Sequence, residues 1–483
     1  MCCKAIIWLS VASVIGGLLA ILGGILIPLG DKIIGDEVSK EAVIQDGTIA
    51  YENWIVTGSP VYRYFWVYEV LNPDKVLQAE VPQLRQRGPY VYLVRHLPKL
   101  NVTQHHNGTV TFWQPNEAIF QEDKSNGSEH DIFTVLNLAV AAAPDMFSGL
   151  LPLVNGFINR SNSSLFQNRS VREILWGYRD PFLELIPNAL LADKTTGLFY
   201  PYNGTADGSY NVYNGKDGIS KVALINRYKG ERTLSYWKDD YCDMLNGSDA
   251  ASFPPSVDKN KLLYFFSSEI CRSIFGVFEK EYILKGIKLY RFVVPSLALA
   301  SPVQNPDNHC YCTEIELSRN CTAAGVLDLR SCQDGKPVFL SLPHYLYASD
   351  FLLDSVVGLK PNKEEHETYV DVEPISGFTM HFAKRLQVNI MFTPHKEIDV
   401  MSNLSSEFIF PVVWLNETAM ISDESADEFI KSVTFPIKLL EIMQIVLLCV
   451  GFAVFIPCTI AIIVICCKKP KVPKSYFANL EYL

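Results

Sequence analysis

The 483-residue chain contains no G-x-S-x-G elbow, no H-E-x-x-H pair and no G-x-x-x-x-G-K-[ST] loop. Their absence removes the local signatures of serine hydrolases, zinc peptidases and nucleotide triphosphatases, so no nucleophile, metal pair or phosphate cradle is named. Only a triad dispersed along the sequence would escape that search. There is no Gly/Ser or Pro-rich linker and no internal repeat, which argues for one large folded unit over a string of modules. A basic surplus is also lacking: the formal charge is -10, against nucleic acid or anionic lipid as a general partner. Residue 2 is not glycine, which excludes N-myristoylation.

Charge is missing altogether from Ala5 to Leu29, and Ile442 to Cys467 is interrupted only by Gln444 and Thr459. About 20 apolar residues cross a bilayer, and the first run is longer than a signal-peptide core and has no small-x-small exit, so it reads as an uncleaved anchor. Lys4 precedes the first run, while Lys468, Lys469, Lys471 and Lys474 follow the second, which places both termini in the cytosol. The expected division is a cytosolic N-terminus 1–4, a span 5–29, an outer domain 30–438, a span 439–467 and a cytosolic tail 468–483. Neither apolar run, Ala5 to Leu29 or Ile442 to Cys467, offers an ionisable pore residue, which counts against a two-span channel. An ecto-enzyme is the other reading from a different class.

The outer segment carries eleven N-x-[ST] glycan acceptors: Asn101, Asn107, Asn126, Asn159, Asn162, Asn168, Asn203, Asn246, Asn320, Asn403 and Asn416. It also holds Cys242, Cys271, Cys310, Cys312, Cys321 and Cys332. An even number of cysteines in one extracellular stretch points to three disulfides among several possible pairings. A zinc site at His309, Cys310 and Cys312 is the weaker reading, and no metal or cofactor is expected.

Aromatic and β-branched runs punctuated by Gly, Pro and Asn mark strands at "YRYFWVYEV", "GPYVYLVRH", "SYNVYNG", "KVALINRYKG", "KLYRFVVP", "TYVDVEP" and "RLQVNIMF". No long helices alternate with them, so an antiparallel sheet or barrel is favoured over a parallel α/β sheet. Helical signals concentrate in "FTVLNLAVAAA", Phe133 to Ala143, and in "SVREILWGY", where Ser170 and Glu173 form a capping box. Between them "MFSGLLPLVNGFIN" predicts at most a short kinked helix, and "NRSNSSLFQNRS" a connecting loop. "KEEHE", Lys363 to Glu367, reads as a solvated face.

The blocks "WGYRDPFL", "GLFYPYNGTADG", "NGKDGISKVA", "SPVQNPDNHCYCTE" and "EEHETYVDVEPISGFTMHFAKRLQVN" resemble the class B scavenger receptors from the first span through the last. "FTVLNLAVAAA", "AASFPP" and "FFSSEICRSI" are similar to that family's fatty-acid-translocating branch. The resemblance implies an α+β fold, mainly antiparallel β: a β-barrel-like ectodomain with an apical helical bundle and a lipid tunnel, anchored by two transmembrane helices. It implies the pairs Cys242–Cys310, Cys271–Cys332 and Cys312–Cys321, and palmitoylation at Cys2, Cys3, Cys466 and Cys467.

The same resemblance implies a plasma-membrane receptor, with Golgi, endosomes and lipid rafts as further locations. Its ligands would be long-chain fatty acids, oxidised phospholipid, and oxidised or native lipoproteins. The family's ligand-binding lysine falls on Arg160 and a second basic position on Asn162, with Arg169 and Arg172 able to replace the lost charge. Glu122, Asp123, Glu129 and Asp131 resemble the stretch that meets thrombospondin-type proteins. Membrane lipids are expected partners; a homo-oligomer through Gly16, Ala20 and Gly24, and cytosolic signalling kinases, stay open. Within the family the alternatives are a receptor for selective cholesteryl ester uptake and a lysosomal member, the latter disfavoured by a tail lacking an acidic di-leucine.

Overall fold

In the segment "VYRYFWVYEV", Phe65 and Val67 lie on one pleat face with Arg63, while Trp66 and Tyr68 point to the other. Both faces are covered, so the strand is rich in aromatic residues throughout and shows little polar alternation. This is the structural centre of the computed structural model, which describes residues 2–313, 315, 318–404 and 407–467. The Val61–Val70 strand pairs antiparallel with Phe408–Met420 on one side and Leu84–Val94 on the other. The register slips between Phe65 and Val67, opposite Gly88. Gly88 adopts φ +126°, and a Cβ there would stand 2.5 Å from the Phe65 carbonyl oxygen, so glycine is required at the bulge.

The chain divides into two compact units, residues 39–426 and a second made of 1–38 with 427–483. The first is mixed α and β with mainly antiparallel pairing. Its largest sheet has eleven strands, running in order Leu263–Ser267, Arg272–Leu284, Ile287–Val293, Tyr369–Val372, Thr379–Phe392, Phe408–Met420, Val61–Val70, Leu84–Val94 and Ile119–Phe120, with two strands branching from the Thr379–Phe392 strand. A four-stranded sheet accompanies it. Three disulfides, Cys242–Cys310, Cys271–Cys332 and Cys312–Cys321, tie segments that lie between the strands of the sheet, with Cα separations of 6.1, 6.5 and 5.8 Å.

The helical segment departs from the sequence expectation in two places. Ile132–Leu136 is a strand, and the helix begins only at Leu138, where Asn137 accepts from the Ala139 and Val140 N–H groups as N-cap. "NRSNSSLFQNRS" is not one loop. Asn159 and Arg160 close the Leu151–Arg160 helix, and Phe166–Ser170 is a strand paired with Ile132–Leu136. Pairing across sequence, invisible to local propensity, converts both flanks. The capping box at Ser170 and Glu173 is present as read.

The Leu151–Arg160 helix buries Leu151, Val154 and Ile158 against Phe166, Met391 and Phe410. Full burial of each such side chain stabilises by roughly 1.5–3 kcal/mol.

In the second unit, the apolar helices Cys2–Glu41 and Phe435–Cys467 each meet the length and composition needed to cross a membrane. They pack antiparallel. The Ser13 and Thr459 hydroxyls are 2.8 Å apart, and Gln444 Nε2 donates to the Leu26 carbonyl at 2.8 Å. Gly16 faces the Phe455 backbone, Ala20 faces Gly451, and Gly24 meets nothing within 4 Å. The small-residue face therefore receives a helix of its own chain, with only Gly24 left open. Gly451→Leu is expected to force the pair apart. A Ser13→Cys/Thr459→Cys cross-link should form without it and be lost with it; retention of the cross-link would refute the close packing.

Candidate functional site

Helical spacing puts Leu153, Phe157 and Arg160 on one face of the Leu151–Arg160 helix, at i, i+4 and i+7. Leu153 is 46% exposed, Phe157 is half-buried against the core, and Arg160 is exposed. Arg160 makes no ion pair or hydrogen bond with another described residue. It also sits in the last helical turn, where a cation complements the helix dipole. The result is an exposed leucine and a half-buried phenylalanine leading to a guanidinium without a partner among the described residues, a surface suited to an amphiphile with an anionic head.

The two asparagines beside Arg160 differ. Asn159 Nδ2 donates to Asp399 Oδ2 at 2.7 Å, alongside Asn155 Nδ2 at 3.0 Å. These amides, Asn159 first, hold the Asp399 carboxyl below its ordinary value. Asn162 is exposed in a left-handed turn, φ 53°, and makes no side-chain hydrogen bond with another described residue. Of the eleven acceptors all are exposed except Asn416. That residue is half-buried on the Phe408–Met420 strand and its Oδ1 lacks a partner.

Arg169 and Arg172 are not interchangeable with Arg160. The Arg169 guanidinium lies 3.9 Å from the Tyr178 ring centroid, its Nε donates to Gln167 Oε1 at 3.1 Å, and Glu173 is 3.6 Å away. It braces the Phe166–Ser170 strand. Arg172 is 62% exposed and pairs with Glu129 at 3.1 Å.

The acidic stretch divides likewise. Glu122 and Asp123 are exposed on a single turn of 3-10 helix. Glu129 also accepts from the Tyr92 hydroxyl at 3.1 Å, and Asp131 accepts from the Tyr90 hydroxyl at 3.2 Å and the Ser128 N–H at 3.1 Å.

Cys310 lies beside Asp239 and His309, but its sulfur is spent in the bridge to Cys242. Asp239 and His309 instead form an exposed ion pair at 2.8 Å. "KEEHE" is solvated only in part: Lys363, Glu364 and Glu365 are exposed, whereas His366 and Glu367 are buried. The His366 ring stacks on His344, centroids 4.3 Å apart, so the one-turn helix turns an imidazole inward. Cys466 and Cys467 are exposed free thiols at the end of the Phe435–Cys467 helix. Cys2 and Cys3 open the other helix, with side chains outside the described residues, as is the tail 468–483.

Sequence reasoning did not find a half-open pocket of about 160 Å3 lined by Phe120, Glu129, Arg172, Trp176 and Asn203 over the buried Tyr92. These residues come from segments up to 111 positions apart, joined only by tertiary folding.

A family model described as the CD36 family matches residues 14–462. Scavenger receptor class B member 1 of Bos taurus is 32% identical over 446 residues, covering 90% of this chain and 86% of that protein. Lysosome membrane protein 2 of Rattus norvegicus is 34% identical over 409 residues, 83% of each. The human lysosome membrane protein 2 is 34% identical over 404 residues, 82% of each.

Proposed function

The chain belongs to the CD36 family of class B scavenger receptors, and from that premise we propose that it is a two-pass plasma-membrane receptor for long-chain fatty acids, oxidised phospholipid and lipoproteins. In this reading it delivers lipid, through a tunnel in its outer domain, to the bilayer holding its two terminal helices. The carrying observation is the unpaired, exposed Arg160 at the end of the Leu153–Phe157 stripe. Each buried methylene contributes about 0.8 kcal/mol, so the tail sets affinity. The guanidinium orients the head through a two-pronged, charge-assisted hydrogen bond.

Both termini are assigned to the cytosol on the lysine flanks, with Cys2, Cys3, Cys466 and Cys467 as acylation sites. Glu122 and Asp123 are exposed, Asp123 with the Lys124 ammonium 3.9 Å away, and are the acidic residues we assign to a basic thrombospondin-type protein. The relatives are a receptor and a lysosomal membrane protein by name, which supports a non-enzymatic role.

The test is fatty acid and oxidised-lipoprotein binding to the full chain in lipid nanodiscs. Arg160→Ala is expected to weaken carboxylate binding roughly tenfold, the size of one charge-assisted hydrogen bond, and Arg160→Lys to restore most of it. Asn162→Gln, removing a glycan beside Arg160, is expected to strengthen binding. Equal binding by wild type and Arg160→Ala would take Arg160 out of the site.

A further inference from the structure

Arg272 opens the Arg272–Leu284 strand and is 5% exposed. Its guanidinium carbon lies 3.5 Å from the Tyr311 ring centroid. Its Nε, Nη1 and Nη2 donate to the Ser273 carbonyl, the Ala298 carbonyl and Asn308 Oδ1 at 3.2, 3.3 and 3.3 Å. All three acceptors are neutral. Arg63, Arg291 and Arg330 each reach a carboxylate, those of Glu417, Asp371 and Asp328. Arg272, more deeply buried than any of them, reaches none among the described residues.

A buried charge is costly unless a counter-charge accompanies it. Burial pushes the Arg272 guanidinium down to about 10, with Tyr311 countering part of the effect, so the group is still a cation at neutral pH. Carbonyl dipoles and a ring face replace its lost hydration only in part. One negative charge is missing from its surroundings.

The guanidinium borders a half-open pocket of about 60 Å3, several times the roughly 10–15 Å3 that one water requires. Leu299, Val326, Phe339 and Ile409 are among its apolar walls. Ser301 lines the same space and is 2% exposed, and its hydroxyl makes no hydrogen bond with another described residue. A second cation stands over the lining: the exposed Arg319 lies 3.7 Å from the centroid of the Phe351 ring, with no carboxylate partner among the described residues. Asp328 is the one carboxylate among the described lining residues, and it is already neutralised. Arg330 donates to both of its oxygens, at 3.1 and 2.7 Å, and the Thr313 hydroxyl donates to it at 2.7 Å.

We propose that the pocket beside Arg272 binds a small monovalent anion, with chloride as its first occupant. The ion takes the guanidinium as its counter-charge and the Ser301 hydroxyl as a donor, while Arg319 raises the anion concentration outside. A single uncompensated cation matches a single negative charge; a sulfate or phosphate dianion would bring surplus charge against apolar walls. The space is too small for an acyl chain, so the site is separate from Arg160 and does not depend on the lipid-receptor reading. Its consequence is structural. Arg272 and Asn308 already tie the start of the strand to the Ser296–Leu299 and Pro306–Tyr311 turns, and the anion completes that junction.

Broadening of the chloride NMR line is measured with the full chain in nanodiscs of zwitterionic lipid, gluconate holding the ionic strength constant and empty discs serving as the blank. Wild type is expected to broaden the line saturably, and chloride in place of gluconate to raise the melting temperature, as a ligand of the folded state does. Arg272→Met should abolish both effects. Ala323→Leu, which fills the pocket and leaves the guanidinium in place, should abolish them too, so the test does not hang on the folding of the methionine variant. Arg319→Gln should weaken chloride binding roughly threefold, the size of one screened surface charge. Arg160→Ala should leave it unchanged.

Acetate is then added as competitor. Displacement of chloride by acetate supports the proposal and adds a short carboxylate as a second occupant; chloride that stays bound confines the site to halide. Absence of saturable broadening in wild type, or equal broadening by wild type and Ala323→Leu, overturns the proposal. Displacement by a long-chain fatty acid but not by acetate does the same, by assigning Arg272 to the path of a lipid. A chain that binds no fatty acid yet broadens the chloride line would refute the Arg160 reading and spare this one.

Discussion

Glu417→Gln should unfold the unit of residues 39–426 at a temperature on the order of 10 °C below wild type, a loss of roughly 3–5 kcal/mol. Glu417 is 1% exposed, at the middle of the sheet, and its register partners are Arg63 on one neighbouring strand and Lys384 on the other. Its carboxylate accepts from Arg63 Nε at 2.8 Å, and is also paired with Arg63 Nη2. Arg95 lies at 3.0 Å and Lys384 at 3.6 Å. Glu269 is the second carboxylate, 2.7 Å from Lys384 and 3.0 Å from Arg63. Burial alone would raise the Glu417 carboxyl; Arg63, Lys384 and Arg95 overcome it and hold the group well below the usual carboxylate range.

Replacing the charge by an isosteric amide leaves three clustered cations facing Glu269 alone. Breaking a buried network costs far more than the network contributes over an apolar substitute. Adding Lys384→Met to Glu417→Gln should therefore recover part of the loss, and denaturant unfolding of the two single variants and the double would show a coupling. A drop below about 1 kcal/mol for Glu417→Gln would mean that water reaches the cluster.

The network marks the boundary of what sequence reading could reach. The strands at "YRYFWVYEV" and "RLQVNIMF" were legible because β-branched and aromatic residues bounded by turn residues have few other uses. The capping box was legible because both partners lie within one turn. "FTVLNLAVAAA" misled because its apolar residues suit a buried strand or a buried helix equally, and only pairing of Ile132–Leu136 with Phe166–Ser170 decides between them. Arg160 was found through family resemblance. What distinguishes Arg169 from it, a guanidinium lying over the Tyr178 ring where Arg160 has no such ring among the described residues, is a tertiary fact. The same holds for Arg63 and Glu417, 354 positions apart, and for the two histidines that stack beneath the "KEEHE" turn.

Those histidines carry the second large effect: stability of the unit of residues 39–426 should fall by roughly 2 kcal/mol between pH 7 and pH 5.5, before any carboxylate titrates appreciably. His344 Nδ1 accepts the Lys360 N–H at 3.0 Å while Nε2 meets Gln86 Oε1 at 2.7 Å, an arrangement that fits a neutral ring protonated at Nε2. His366 Nδ1 accepts the Asn362 N–H at 3.0 Å. Tyr68 and Trp414 pack on His344, and Trp414 also on His366. Burial, and then the neighbouring His366, push His344 down to about 3; burial, and then Arg385, push His366 down to about 4.

Both folded values lie below that of a free imidazole, so the unfolded chain binds protons first. The stability is fully present above about pH 6.5 and is lost as pH falls toward the folded values. Glu365, 4.0 Å from His366 Nε2 and mostly exposed, is too well solvated to reverse the sign. His309, raised by its hydrogen bond to Asp239, acts in the opposite direction but is exposed and small in effect. Thermal unfolding of wild type and His366→Phe across this range checks the sign and the source. The phenylalanine keeps the stacked ring and removes one proton site, so the pH slope should fall by about half. A flat wild-type profile would show that the pair is solvated. A falling one means that the unit of residues 39–426 is more stable at pH 7 than at pH 5.5, as suits the proposed plasma-membrane residence.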